Sequence, residues 1–257
     1  MSERLFVTEI GAGTPTLLLL HGMAGNGELW RPLMEQATRE WPGRIVVPDL
    51  RGHGRSFHAA HYGYGHQAAD VAVLFAPGEA VAVLAHSMGA LVGLALATGW
   101  YGVGVTSLFG FSVKVEWTAE ELARAAALAR SPVRWFETRD EAVERFLRVA
   151  GVAGLLSPGH PACDAGVARG ESGYRLAGDQ ATAMAAGPDI RTMLSAADAQ
   201  ILLACGDRDT MVTIAHLRSL GCNALELPDA GHNPHVEQPK RLWEHARSHL
   251  LRTEAGS

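Results

Sequence analysis

Residues 81–97 read VAVLAHSMGALVGLALA, and the hinge in their middle decides the fold. Apolar alternation up to Ala85 predicts a strand over 80–85, and the spacing after the hinge predicts a helix over 88–99. A turn that only reverses the chain more often uses Asn, Asp or Pro. Here a serine stands at the centre of Ala85-His86-Ser87-Met88-Gly89. A turn sharp enough to strain its central residue makes side chains two positions away collide. Ala85 and Gly89 occupy those positions and Ala90 follows, so Ser87 can protrude while strand and helix pack closely. The N-terminal N–H groups of the helix then face the hydroxyl, where they can stabilise negative charge.

Working outward, strands are predicted at 4–10, 14–22, 43–50, 103–109, 199–206 and 223–228, and helices at 28–41, 64–76, 212–220 and 236–251. Strands alternating with helices imply right-handed crossovers and an α/β fold, a mostly parallel central sheet with helices on both faces. Residues 1–111 and 191–257 form this core. Between them, 112–190 is rich in Ala, Arg and Glu, with helical spacing in 118–130 and 139–150 and no convincing strand. It reads as a helical insertion between two strands of the sheet.

The chain has 257 residues, enough for one large domain or a domain with an insertion. With 47% hydrophobic and 19% charged residues it has the composition of a globular protein. A net charge of −5 offers no footprint for nucleic acid, and no Lys/Arg run argues for a membrane surface. The longest apolar run, 80–97, is broken by His86, Ser87 and two glycines, which speaks against a membrane span. MSERLFVTEIG lacks the apolar stretch of a signal peptide, and a cytoplasmic protein is expected. Cys163, Cys205 and Cys222 form no CxxC pair. Cys205 ends one predicted strand and Cys222 begins the next, so parallel pairing puts the thiols at opposite ends and no disulfide is expected.

A serine hydroxyl needs a base to remove its proton, and the base needs an orienting acid. CGDRDTMV (205–212) and PDAGHNPHVEQP (228–239) each follow a predicted strand. In a parallel sheet both loops emerge on the edge where Ser87 stands, and ligands bind at that edge. The order Ser, acid, His is that of the G-x-S-x-G elbow. LLLLHGMAGNGELW (17–30) adds a glycine-rich loop at the end of another strand, a source of backbone donors for an oxyanion.

With His21-Gly22-Met23, DLRGHGRS (49–56), AHSMG (85–89), GDRD (206–209) and GHNPHVEQP (231–239), the sequence resembles the α/β-hydrolase superfamily over all but the insertion. The resemblance implies Ser87 as nucleophile, His232 as base, the Met23 and Met88 backbone N–H groups as oxyanion donors, and an acid within 207–209. The family's G-x-x-D pattern places that acid at Asp209. The insertion corresponds to the family's helical cap, and the small capped carboxylesterases, including the type that cleaves pimeloyl esters, are the most similar branch. Ala85 replaces the first glycine of the elbow, and the N-terminus is short for the family's full first hairpin, so an edge strand is expected to be missing. A serine nucleophile argues against the haloalkane dehalogenase and epoxide hydrolase branches. Carbon–carbon bond hydrolases usually carry Pro in the first loop and Trp after the catalytic His; here those places read MAGNG and HNPH. The expected activity is hydrolysis of an ester, thioester or lactone of a small to medium acyl group, through an acyl-enzyme. The alternatives are carbon–carbon bond hydrolysis, cofactor-free perhydrolysis, or ligand binding without catalysis.

Other residues invite blander readings. His53, His58, His61 and His66 lack a companion Cys, and a polar loop near the cleft mouth is expected rather than a metal site. The G-x-x-G-x-G pattern of 22–27 matches neither nucleotide fingerprint, and no cofactor is expected. His86 reads as a packing or hydrogen-bonding residue, and His235 receives no role. Trp117, Trp135, Phe136 and Tyr174 read as core of the insertion or as lining of an acyl pocket. Glu237 and Pro239 read as the start or cap of the last helix.

Overall fold

The structure, a computed structural model, describes residues 4–251. Before the insertion come strands β1 (Val7–Ile10), β2 (Thr16–Leu20), β3 (Ile45–Pro48), β4 (Ala80–His86) and β5 (Gly104–Phe111), with helices α1 (Arg31–Glu40), α2 (Tyr64–Ala72) and α3 (Met88–Ala97) between them. The insertion holds α4 (Ala119–Arg130), α5 (Arg139–Val149), α6 (Pro161–Gly166) and strands β6 (Val167–Gly170) and β7 (Gly173–Leu176). Then follow α7 (Ile190–Ala196), β8 (Gln200–Gly206), α8 (Ile214–Arg218), β9 (Asn223–Leu227), α9 (Pro234–Glu237) and α10 (Pro239–Leu250).

One seven-stranded sheet runs in the order β1-β3-β2-β4-β5-β8-β9. Its pairings are parallel except at the edge, where β1 runs antiparallel to β3. Among the described residues β1 is the one strand before β2, so a full first hairpin is absent there. Alternate residues of β2 serve opposite faces. Leu18 and Leu20 pack with α2, α3, α7 and α8, whereas Leu17 and Leu19 pack with α1 and α10. Because both faces are covered, β2 is buried at all five positions and reads as an unbroken apolar run.

Helix α3 is apolar all round and buried along its whole length. A Cβ at Gly93 would come within 2.9 Å of Leu108 and 3.1 Å of Val83, so this glycine lets the helix lie close on the sheet. Among the described residues no helix is long and apolar enough to cross a membrane. The three cysteines are free, and the β8–β9 register pairs Cys205 with Glu226, well up the sheet from Cys222.

The stretch 112–190 departs from its sequence reading, which expected no strand there. It contains the antiparallel hairpin β6–β7, closed at Gly170 and Gly173, where Gly173 has φ 111°. Phe136 and Tyr174 exchange backbone hydrogen bonds, extending the hairpin sideways. Four-residue strands, half exposed, give too short an alternation to stand out from the helical background. Trp117, Trp135, Phe136 and Tyr174 are not core residues: both tryptophans are exposed, and Trp135 lies over Gly170 of the hairpin. The insertion is seated through Leu29, which packs with Val143, Phe146 and Leu147 of α5 and with Cys163. Asn26 Nδ2 donates to the Ala162 carbonyl and Asn233 Nδ2 to that of Gly151, tying the insertion to two loops of the sheet edge.

The last predicted helix is broken in two. Gln238 has φ −141° and ψ 55°, outside the helical region, because the ring of Pro239 disfavours helical backbone in the residue before it.

Candidate active site

Ser87 stands at the joint of β4 and α3 with φ 50° and ψ −117°. This is a positive φ that a side-chain-bearing residue adopts only under constraint. The constraint is visible on both sides. Ser87 N–H donates to the Phe111 carbonyl at 2.8 Å, continuing the β4–β5 pairing, and Ala90 N–H returns to the Ser87 carbonyl at 3.0 Å. A Cβ at Gly89 would lie 2.5 Å from the His21 carbonyl oxygen and 2.6 Å from that of Leu20. Nothing larger than glycine fits there, which is the size argument made from the sequence.

Loop 21–27 is pressed against this elbow. A Cβ at Gly22 would fall 2.6 Å from His86 Nδ1 and 3.1 Å from Ser87 Cβ. His21 is fully buried and accepts the Leu50 N–H on Nε2 at 2.9 Å, so its proton sits on Nδ1 and is donated to the Gly22 carbonyl at 2.8 Å. Gly25 N–H donates to the same carbonyl at 3.1 Å. Peptide planarity then turns the Met23 N–H to the opposite side. Among the described residues no hydrogen bond engages the N–H of Met23 or of Met88. Asp49, buried at the end of β3, accepts from the N–H groups of Gly27 at 2.7 Å and Arg55 at 2.8 Å, locking the two neighbouring loops together.

The loops after β8 and β9 meet at a histidine–carboxylate pair. His232 Nδ1 donates to Asp209 Oδ2 at 2.9 Å, and the Asp209 side chain is wholly shielded from solvent. Asp209 Oδ1 accepts from Met211 N–H at 2.8 Å and Val212 N–H at 3.3 Å. Burial works to raise the pKa of Asp209, but the hydrogen bond and charge of His232, with the Met211 N–H, outweigh it and hold the carboxylate below its usual range. Asp207, two residues earlier, is exposed. No hydrogen bond joins Ser87 to His232 among the described residues.

Glu237 holds the His232 loop in place. Its carboxylate accepts from Gly231 N–H and from Asn233 N–H, one residue to either side of His232. From sequence Glu237 read as the start or cap of the last helix; the signal available for its further role was its spacing, four residues after Asn233.

A sequence model of the alpha/beta hydrolase family matches residues 17–245. The chain belongs to this family. Among curated proteins, the hydrolase is 28% identical over 239 residues to the 2-succinyl-6-hydroxy-2,4-cyclohexadiene-1-carboxylate synthase of Salmonella newport (strain SL254), covering 88% of this chain and 90% of that one. A shorter match, 36% over 101 residues and 38% of this chain, is to 37% of the putative carbamate hydrolase RutD of Escherichia coli O26:H11 (strain 11368 / EHEC). Among solved structures, E-2-(acetamidomethylene)succinate hydrolase superposes with a TM-score of 0.79 at 19% identity, over 96% of this chain and 95% of that one, a likeness of fold.

The remaining histidines of this hydrolase scatter. His53 is buried against His21, His61 stacks on His66, and His58 lies 3.7 Å from Asp179. Among the described residues no group of three or more such side chains comes together to hold a metal. His235 is buried between Trp30, Phe111 and His86.

Burial pushes both His53 and His235 down to about 3, with neighbouring histidines adding to the effect. Burial likewise lowers His21 and His86. An unfolded chain protonates His53 and His235 below about 6.5, whereas the folded one does not until about 3, so stability is lost as pH falls from 6.5 towards 3. Each such histidine contributes a slope of about 1.4 kcal/mol per pH unit within that window. The urea midpoint is therefore expected to drop sharply between pH 7.5 and pH 5, and His235→Phe to flatten the drop. A midpoint flat across that range would contradict the buried, neutral assignment.

Proposed function

We propose that the protein is a serine hydrolase acting on an ester, thioester or lactone of a small to medium acyl group. The observation that carries this reading is the shielded Asp209–His232 hydrogen bond on the same sheet edge as the strained Ser87. Ser87 Oγ attacks the carbonyl carbon while His232 Nε2 takes its proton. Asp209 orients the ring and stabilises the imidazolium, and the Met23 and Met88 N–H groups receive the oxyanion. The carbonyl re-forms, and the alcohol or thiol leaves with the proton from His232. Water, deprotonated by the same histidine, then attacks the acyl-enzyme and frees the acid.

A second reading is favoured by the likeness to the synthases over 88% of this chain: the same side chains acting on a small ring compound that bears carboxylates. A panel of p-nitrophenyl esters of rising chain length separates the two, together with fluorophosphonate labelling located by mass spectrometry. Labelling at Ser87 with a burst of p-nitrophenol and a clear length preference is expected. Labelling at Ser87 without turnover of any ester would favour the second reading, and no labelling of the folded protein would remove the nucleophile.

A further inference from the structure

We propose that His86 is the positioning residue of the base: its Nε2–H holds the backbone of His232, and its ring fixes the plane of the His232 ring. The inference rests on the reading of His232 as base and goes beyond it, because His86 touches no reacting atom.

His86 is the last residue of β4, and the turn at Ser87 sends the two side chains apart. Ser87 protrudes at the edge, while His86 is buried, 5% exposed. His86 Nε2 lies 3.0 Å from the His232 carbonyl oxygen. A carbonyl can only accept, so the proton is on Nε2 and Nδ1 is a bare acceptor. Among the described residues this is the one hydrogen bond that the His232 carbonyl receives. Glu237 fixes the N–H groups to either side, and Asp209 fixes one ring nitrogen; His86 supplies the missing restraint on His232 itself.

The ring is held as tightly as its nitrogen. Phe111 stacks on it at 5.1 Å with planes 26° apart, and His235 lies 4.6 Å away. Against this platform the His232 ring stands edge-on, 5.1 Å between centroids and 65° between planes. Gly22 closes the other side, within 2.6 Å of Nδ1 at the place where its Cβ would be. One imidazole thus joins the base loop, the elbow and the loop that carries Met23. When His232 takes up the Ser87 proton it becomes cationic, and a charged neighbour would oppose it. Burial first, then the nearby His235 and His232, holds His86 well below its ordinary value, so it stays neutral.

If His86 merely fills space, any side chain of its size serves. If it positions the base, an N–H at the place of Nε2 is required. Gln can put an amide N–H there, Asn falls short, and Leu has none. His86→Asn and His86→Leu are expected to lower kcat by on the order of 10–100-fold with KM within about threefold, because a misplaced base slows chemistry more than binding. His86→Gln is expected to recover most of that loss. Thermal unfolding of each variant reports the fold, and the Gln/Asn pair decides the matter even where Leu does not fold. Equal kcat in the Gln and Asn variants, or a loss confined to KM, would overturn the inference. A parallel Ser87→Ala measurement keeps the two levels apart: full activity there condemns the proposed mechanism, not the His86 geometry.

Discussion

Ser87→Ala is expected to abolish turnover while leaving the unfolding transition where it was. Loss of a triad nucleophile costs on the order of 10⁶ in kcat, and what survives, roughly 10³–10⁴ over water, comes from oxyanion stabilisation and binding. Stability should not change because the strain at this position lies in the backbone. The backbone hydrogen bonds that hold Ser87 at φ 50° are retained by alanine, and the serine hydroxyl makes no hydrogen bond among the described residues. Ser87→Gly is the informative companion. Glycine relieves a strain of about 1–3 kcal/mol and adds about 0.5–1 kcal/mol of unfolded-state entropy, so the inactive glycine variant should melt higher than wild type. Paired kcat and urea-midpoint measurements check both parts. An alanine variant with wild-type esterase activity would falsify the nucleophile assignment, and a glycine variant that melts lower would show that the elbow is not strained.

How much of this could be read from sequence depends on whether the controlling contact is local. The central strands were legible because a sheet covered on both faces makes β2 and β4 apolar at nearly every position. Ser87 was legible because its neighbours at 85 and 89 must be small, a requirement written within five residues. The hairpin β6–β7 escaped because its strands are short and half exposed, and the break at Gln238 escaped because Pro239 was read as a start or cap inside a helix predicted over 236–251. His86 was read as a packing or hydrogen-bonding residue, and Glu237 as the start or cap of a helix, with no partner named for either. The partner that gives His86 its meaning, the His232 carbonyl, lies 146 residues away. Periodicity tells which face a residue serves; it does not name what it meets there.

Asp209 and Asp207 make the sharpest test, because two like residues stand two positions apart and the geometry chooses between them. Asp207 is exposed, and its backbone N–H, not its side chain, is what the β9 strand engages through the Leu227 carbonyl. Asp207→Asn should change kcat by less than about threefold, the scale of an exposed charge screened by solvent. Asp209→Asn should cost roughly 10⁴ in kcat, and the hydrogen bonds say why. Oδ1 is held by the N–H groups of Met211 and Val212, so in the amide the oxygen must stay on that side. The NH₂ then replaces Oδ2 and faces His232 Nδ1, which donates to it now. Two donors cannot share a bond, so the imidazole moves its proton to Nε2 and accepts on Nδ1. A proton on Nε2 leaves no lone pair for the Ser87 proton, and the imidazolium would also lack its counter-charge. The loss should therefore appear in kcat and in the rate of fluorophosphonate labelling, with KM nearly unchanged. Measured losses in the reverse order would move the acid to Asp207 and would require the loop after β8 to turn its other face to the histidine.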